Sequence, residues 1–154
     1  MDSYILMNKQ LVAMLDGEKN VISNLANASA LLNETLDNIN WVGFYLYCKE
    51  ENALKLGPFQ GKVACTHIPM NKGVCGTAAY LKETILVEDV HKFEGHIACD
   101  AASNSEIVVP IFINGDVFGV LDVDSPIFSR FTEVDKQYLE EFVSILEGVI
   151  ANGI

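Results

Sequence analysis

The residues best suited to chemistry in this chain are its four cysteines, Cys48, Cys65, Cys75 and Cys99. A thiolate is both a strong nucleophile and a metal ligand. Cys99 lies in HIACDAASNSE, a stretch of small and polar residues with His96 close by, which suits an exposed thiol that ionises usefully. Cys75 lies where a helical run, VCGTAAYLK, begins, and a helix N-terminus eases thiol ionisation. Cys48 ends an aromatic run and reads as a small buried hydrophobe. There is no CxxC pair, and Cys65 and Cys75 are ten residues apart, which is not a usual zinc-ligand spacing. His67, His91 and His96 read as loop or surface histidines. They would join the cysteines at a metal only by convergence in space, and the expectation is no metal.

Carboxylates form the second constellation. Asp122 and Asp124 are two apart in a strand-like run and so share a face. Two acids at the end of an apolar strand cost desolvation energy unless a cation or a proton meets them. The competing reading is that they merely cap the strand end in solvent. Glu106 opens the partner strand, but a strict two-residue turn at Asn114-Gly115 would set it opposite Val123, on the wrong face. A β-bulge, or a strand starting after Glu106, would remove the conflict. Trp41 and Tyr45 are four apart on an alternating element, share a face, and are able to line a pocket.

The elements that must position these groups follow from periodicity. Leu11, Met14 and Leu15 mark a first helix. Val21, Leu25, Leu32 and Leu36 mark a second, with Gly17 as the break. WVGFYLYC (41–48) reads as a strand that turns through KEEN into ALKLGPF. A short strand is expected at 63–68, a helix after Gly73, and a strand in ETILVED. Residues 88–105 lack periodicity and read as a long loop of the kind that often carries function. EIVVPIFI, Asn114-Gly115 and DVFGVLDVD form a hairpin with a type I′ turn, and its strands are apolar enough to be covered on both faces. A last helix starts near Thr132, with Asp135 completing a capping-box-like start. Its expected buried stripe is Val134, Tyr138, Phe142, Ile145, Leu146 and Val149. This order predicts an α+β fold, with an antiparallel sheet, N- and C-terminal helices on one face and a ligand pocket on the other.

Bulk properties narrow the function. The 154 residues suit one domain over 1–154, half of them apolar and a fifth charged. The formal net charge of −11 argues against nucleic acid and anionic membranes as partners. It would suit a cationic or zwitterionic ligand, although most of it reads as a solubility feature. The opening MDSYILMNKQLVAMLDGEKN has no basic leader and is broken by Asn8, Lys9 and Asp16, so neither a signal peptide nor a membrane span is expected. The expectation is a cytoplasmic protein whose cysteines act as thiols, ligands or catalysts.

The segments WVGFYLY, LGPFQGKVAC, IPMNKGVCGTAA, DVHKFEGHIACDAASNSEIVVPIF and GVLDVDSPIFSRFTEVD together resemble one family, the free methionine-R-sulfoxide reductases, which are GAF-domain proteins. The resemblance runs over roughly residues 41–135. It implies a GAF-like domain in which Cys99 is the catalytic cysteine, Cys65 the resolving cysteine and Cys75 a third that can join disulfide exchange. It further implies that Glu106, Asp122 and Asp124 bind and polarise the substrate and that Trp41 and Tyr45 lie near its methyl end. It points to free methionine sulfoxide as substrate, thioredoxin as reductant, no metal or organic cofactor, and a homodimer. The chemistry agrees. A thiolate attacks sulfur, a crowded carboxyl kept protonated supplies a proton, and a sulfenic acid condenses with a second thiol. The competing class is a GAF module that binds a small ligand or senses redox state without catalysing anything.

Overall fold

The computed structural model describes residues 1–95 and 102–153. Cys99 and His96 lie outside the described residues. The helices are α1 (Asp2–Leu15), α2 (Val21–Thr35), α3 (Gly73–Leu81) and α4 (Glu133–Gly153). The strands are β1 (Trp41–Cys48), β2 (Ala53–Gly61), β3 (His67–Pro69), β4 (Ile85–Val87), β5 (Ser105–Ile113) and β6 (Asp116–Ser125). The six strands form one antiparallel sheet in the order β3-β2-β1-β6-β5-β4. The fold is thus α+β, as its alternating and helical periodicities predict.

Strand alternation splits the apolar residues into two cores. Val42, Phe44, Ile107, Val109, Ile111, Leu121 and Val123 point to one face and pack with α1, α2 and α4. Each fully buried aliphatic or aromatic side chain there contributes roughly 1.5–3 kcal/mol. The opposite face carries Trp41, Tyr45, Val108 and Val120, covered by Val74, Cys75, Ala78 and Ala79 of α3. The large core binds the sheet together. The smaller one holds α3 above the polar residues described below.

Local chemistry sets the element ends. Gly17 adopts φ +81°, closing α1. Asn20 caps α2, its side chain accepting from Ser23 N at 2.9 Å. At the start of α4, Asp135 Oδ2 accepts from Thr132 N at 2.8 Å, the reciprocal half of a capping box. Its Oδ1 accepts from Tyr4 Oη at 2.5 Å, tying α1 to α4.

Several finer expectations are corrected. Met14 is exposed on α1, where Tyr4, Met7, Leu11 and Leu15 are buried instead. Val134 is also exposed. The inward stripe of α4 is Asp135, Leu139, Phe142, Val143, Leu146 and Ile150, with Tyr138, Ile145 and Val149 only flanking it. The stripe begins at Asp135, whose carboxylate also accepts from Thr132 N. The short strand expected at 63–68 forms at His67–Pro69, where it pairs with β2.

Candidate active site

The site is built on the hairpin of β5 and β6. Asn114 and Gly115 take φ +54° and +85°, as a type I′ turn requires. From that turn Ile113 pairs with Asp116 and Phe112 with Val117. The register then shifts, so that Ile111 pairs with Gly119 and every later pair follows the new register. Phe118 is the extra residue of this bulge. Beyond it Glu106 faces Asp124, and Val108 faces Asp122. The bulge resolves the conflict of faces: Glu106, Asp122 and Asp124 all point away from the large core.

Strand β1 completes the floor. Trp41 pairs with Asp124 and Gly43 with Asp122. Trp41, Asp124 and Glu106 therefore form one row across three strands, and Gly43, Asp122 and Val108 form the next. The Trp41 ring stacks on Tyr45 at 5.7 Å and on Phe59 at 5.1 Å, and its Nε1 donates to Lys62 O at 3.1 Å. Two glycines make this stack possible. A Cβ on Gly61 would meet the Trp41 ring at 2.5 Å, and one on Gly43 would meet Phe59 Cβ at 2.2 Å. Phe59 was not identified as a candidate from the sequence. The signal that could find it is its place opposite Gly43 in the β1–β2 pairing, which requires the register.

Helix α3 lowers Cys75 onto the acids. Cys75 Sγ and carboxylate oxygens of Glu106 and Asp122 all lie within 4.8 Å of one another, and all three residues are buried. Asp124, half-buried, adjoins them. Burial, then the charge of Asp122 and its hydrogen bond, hold the Glu106 carboxyl well above the usual carboxylate range. Burial and the charges of Asp122 and Glu106 do the same to Asp124. Burial also raises Asp122, but hydrogen bonds from Glu106, Asp124 and Cys75 pull it back. The three carboxyls titrate as one group in which Asp122 is raised least, because its hydrogen bonds favour its charged form. Asp122 Oδ1 is buried with no hydrogen-bond partner among the described residues. Such an acceptor favours a donor from a ligand.

The same surroundings correct the reading of Cys75 as an easily ionised thiol. Burial first, then the charges of Asp122, Glu106 and Asp124, push its pKa well up. Three acids outweigh one helix end. Tyr45 is raised likewise by burial and by Asp122. Cys48 is corrected too: it is partly exposed at the end of β1, with Sγ 3.5 Å from Glu50 Oε2. Cys65 is half-buried beside the smaller core. His67 lies 3.7 Å from Glu51, and His91 Nε2 lies 3.0 Å from Asn104 Oδ1, both on the surface. The structure thus brings together Glu106, Asp122, Asp124, Cys75, Trp41 and Tyr45, and leaves His67, His91 and Cys48 outside.

Known proteins share this fold and much of this sequence. The family model described as GAF domain matches residues 26–151. The free methionine-R-sulfoxide reductase of Escherichia coli (strain K12) is 53% identical over 148 residues, covering 96% of this chain and 88% of that protein. The structure of fRMsr of Staphylococcus aureus in complex with substrate is 55% identical, with a TM-score of 0.91 over 96% of this chain and 95% of that one. The free methionine-R-sulfoxide reductase from Neisseria meningitidis, in complex with its substrate, is 43% identical, with a TM-score of 0.95 over 97% and 89% of the two chains. Built on the GAF sheet and sharing about half of its residues with the Escherichia coli enzyme over nearly its whole length, the chain belongs to the family of free methionine-R-sulfoxide reductases.

Proposed function

We propose that this chain, acting as one GAF-like domain over residues 1–154, reduces free methionine-R-sulfoxide to methionine with Cys99 as nucleophile. The observation that carries the reading is the union of three carboxyl groups with the Trp41–Tyr45 stack on one sheet face beneath α3. Sulfoxide reduction needs a nucleophile at sulfur, a proton for oxygen, and a grip on the rest of the molecule. A carboxyl that keeps its proton near neutral pH meets the second need, and Glu106 and Asp124 are both biased that way. Asp122, with an acceptor oxygen buried and unanswered, meets the third by receiving the ammonium of a free amino acid. The aromatic rings take the methyl end.

In this cycle the Cys99 thiolate attacks the sulfoxide sulfur. The oxygen takes a proton from a carboxyl and ends on Cys99 as sulfenic acid, releasing methionine. The Cys65 thiol condenses with the sulfenic acid, forming a Cys65–Cys99 disulfide and one water. A thioredoxin dithiol then reduces that disulfide and is itself oxidised, returning both thiols. Cys75, buried and hard to ionise, serves at most as an auxiliary thiol. The scheme uses no metal or organic cofactor. A cytoplasmic setting and a homodimer complete the proposal. No helix among the described residues is long and apolar enough to cross a membrane.

The test is NADPH consumption with thioredoxin and its reductase, offered free methionine-R-sulfoxide, its S epimer, and a peptide-bound sulfoxide. Turnover of the free R epimer far above the other two is expected. Equal efficiency on the peptide would refute the amino-acid grip, and no turnover of any would favour a module that only binds.

A further inference from the structure

The site face sets Cys75, which the reduction uses at most as an auxiliary thiol, against two of the acids that serve the substrate. Cys75 Sγ, one Glu106 oxygen and one Asp122 oxygen lie within 4.8 Å of one another, each from a buried residue. They are carried by a helix and two adjacent strands of the sheet. Asp122 is 5% exposed, and its Oδ1 has no hydrogen-bond partner among the described residues. We propose that this trio is a binding site for a thiophilic divalent cation, best fitted by Zn²⁺, which coordinates Cys75 Sγ and one oxygen each of Glu106 and Asp122 and thereby blocks the substrate pocket.

The ligand chemistry selects the ion. A thiolate favours zinc over magnesium or calcium, which prefer all-oxygen shells of six or more ligands. Three protein ligands and one open position form a zinc coordination shell. Tetrahedral zinc sets its ligand atoms about 3.3–3.8 Å apart, so the trio need contract by only about an ångström. On binding, Cys75 Sγ–H breaks and an S–Zn bond forms. The thiol proton, and any proton held between the two coordinating carboxyls, pass to solvent. Nothing is oxidised or reduced. Coordination through Asp122 Oδ1 would also answer that buried oxygen. That the ion excludes substrate rests on the proposed grip of these acids on the substrate ammonium, whereas metal binding itself does not.

The test uses Co²⁺ alone as a spectroscopic probe of the reduced full chain in which Cys48, Cys65 and Cys99 are replaced by Ser. Cys75 is then the one thiol left. A thiolate-to-cobalt charge-transfer band is expected, saturating at one equivalent and chased by Zn²⁺. Adding Cys75→Ser should abolish it, and adding Asp122→Asn should weaken binding about tenfold or more. A folded three-serine protein without the band, or a band indifferent to Asp122→Asn, overturns the site. Should that protein fail to fold, calorimetry of Zn²⁺ on wild type against Cys75→Ser decides: loss of one equivalent supports the site, and unchanged stoichiometry and affinity overturn it. Free methionine should raise the apparent Kd for the metal. If the metal binds and methionine has no effect, the exclusion of substrate and the ammonium grip both fail, while the metal site stands.

Discussion

Glu106 stands directly opposite Asp124 across β5 and β6, although the turn that joins these strands starts them in a register that would set Glu106 opposite Val123. The single residue gained at the Phe118 bulge moves Glu106 from the apolar core to the site face. A side-chain period of two makes a shift of one residue decisive. Gly119, immediately after the bulge, leaves no room for a Cβ, which would meet Tyr45 O at 2.2 Å. The bulge is therefore locked against β1, and the three acids are held as a group.

Replacing the acids by amides separates their roles. Each of Glu106→Gln, Asp122→Asn and Asp124→Asn is expected to lower activity on free methionine-R-sulfoxide. Loss of a general acid costs about a hundredfold or more in kcat. Loss of the ammonium contact at Asp122 should raise KM as well. Saturation kinetics of the three variants check this. Full activity in all three would place the proton donor elsewhere.

The cysteines are expected to divide between nucleophile and resolver. Cys99→Ser should end both sulfenic acid formation and turnover. Cys65→Ser should still reduce about one sulfoxide per enzyme in a single-turnover assay, while thioredoxin-driven cycling stops. Near-normal turnover by Cys99→Ser, with Cys75→Ser inactive, would reverse the assignment.

Gly43 offers a test of the aromatic stack. Gly43→Ala would put a Cβ 2.2 Å from Phe59 Cβ and 2.7 Å from its Cα, which β1 and β2 relieve only by separating. A loss of about 1–3 kcal/mol is expected, with reduced kcat/KM as the Trp41–Phe59 stack and the Asp122 row shift. Gly148→Ala, in α4 with nothing within 4 Å, is the control and should stabilise by about 0.5–1 kcal/mol. Equal melting temperatures for the two variants would contradict the packing argument.

Much of this was legible in the sequence because its causes are local. The Asn114-Gly115 turn, the Trp41–Cys48 strand and the aspartates on one face follow from spacing and from residues that permit positive φ. Glu106 is where local reading stops. Its face depends on a bulge twelve residues away at Phe118, beside the close approach of Gly119 to Tyr45, and nothing adjacent to Glu106 encodes that bulge. Cys75 is a similar case. Its position in α3 suggests easy ionisation, but the acids that oppose it arrive from strands more than thirty residues on. Val134 misled because its periodicity is compatible with either edge of the stripe, and the rotation of α4 is set by tertiary contacts such as that of Asp135 with Tyr4.

The acids should also trade stability against function, with a pH dependence of definite sign. Glu106 and Asp124 have pKa values held above their ordinary range in the folded protein, so each binds its proton more tightly folded than unfolded. The stability linked to that proton is fully present below the unfolded value, about 4. It is lost as the pH rises toward the folded value, because the unfolded chain gains by ionising first. An amide has no proton to lose. Glu106→Gln and Asp124→Asn should therefore melt higher than wild type at neutral pH, by on the order of 2–4 °C for each kcal/mol relieved, and the gain should vanish near pH 4. Asp122→Asn should gain less or lose, since Asp122 accepts the bonds of Glu106, Asp124 and Cys75, and an amide leaves some of those donors poorly answered. Thermal melts of the three variants at both pH values read this directly. A gain for Glu106→Gln that persists unchanged in acid would mean that the relief is one of packing rather than of ionisation. No gain at neutral pH would mean that Glu106 is not held protonated, and the choice of Glu106 as a proton donor would fall with it.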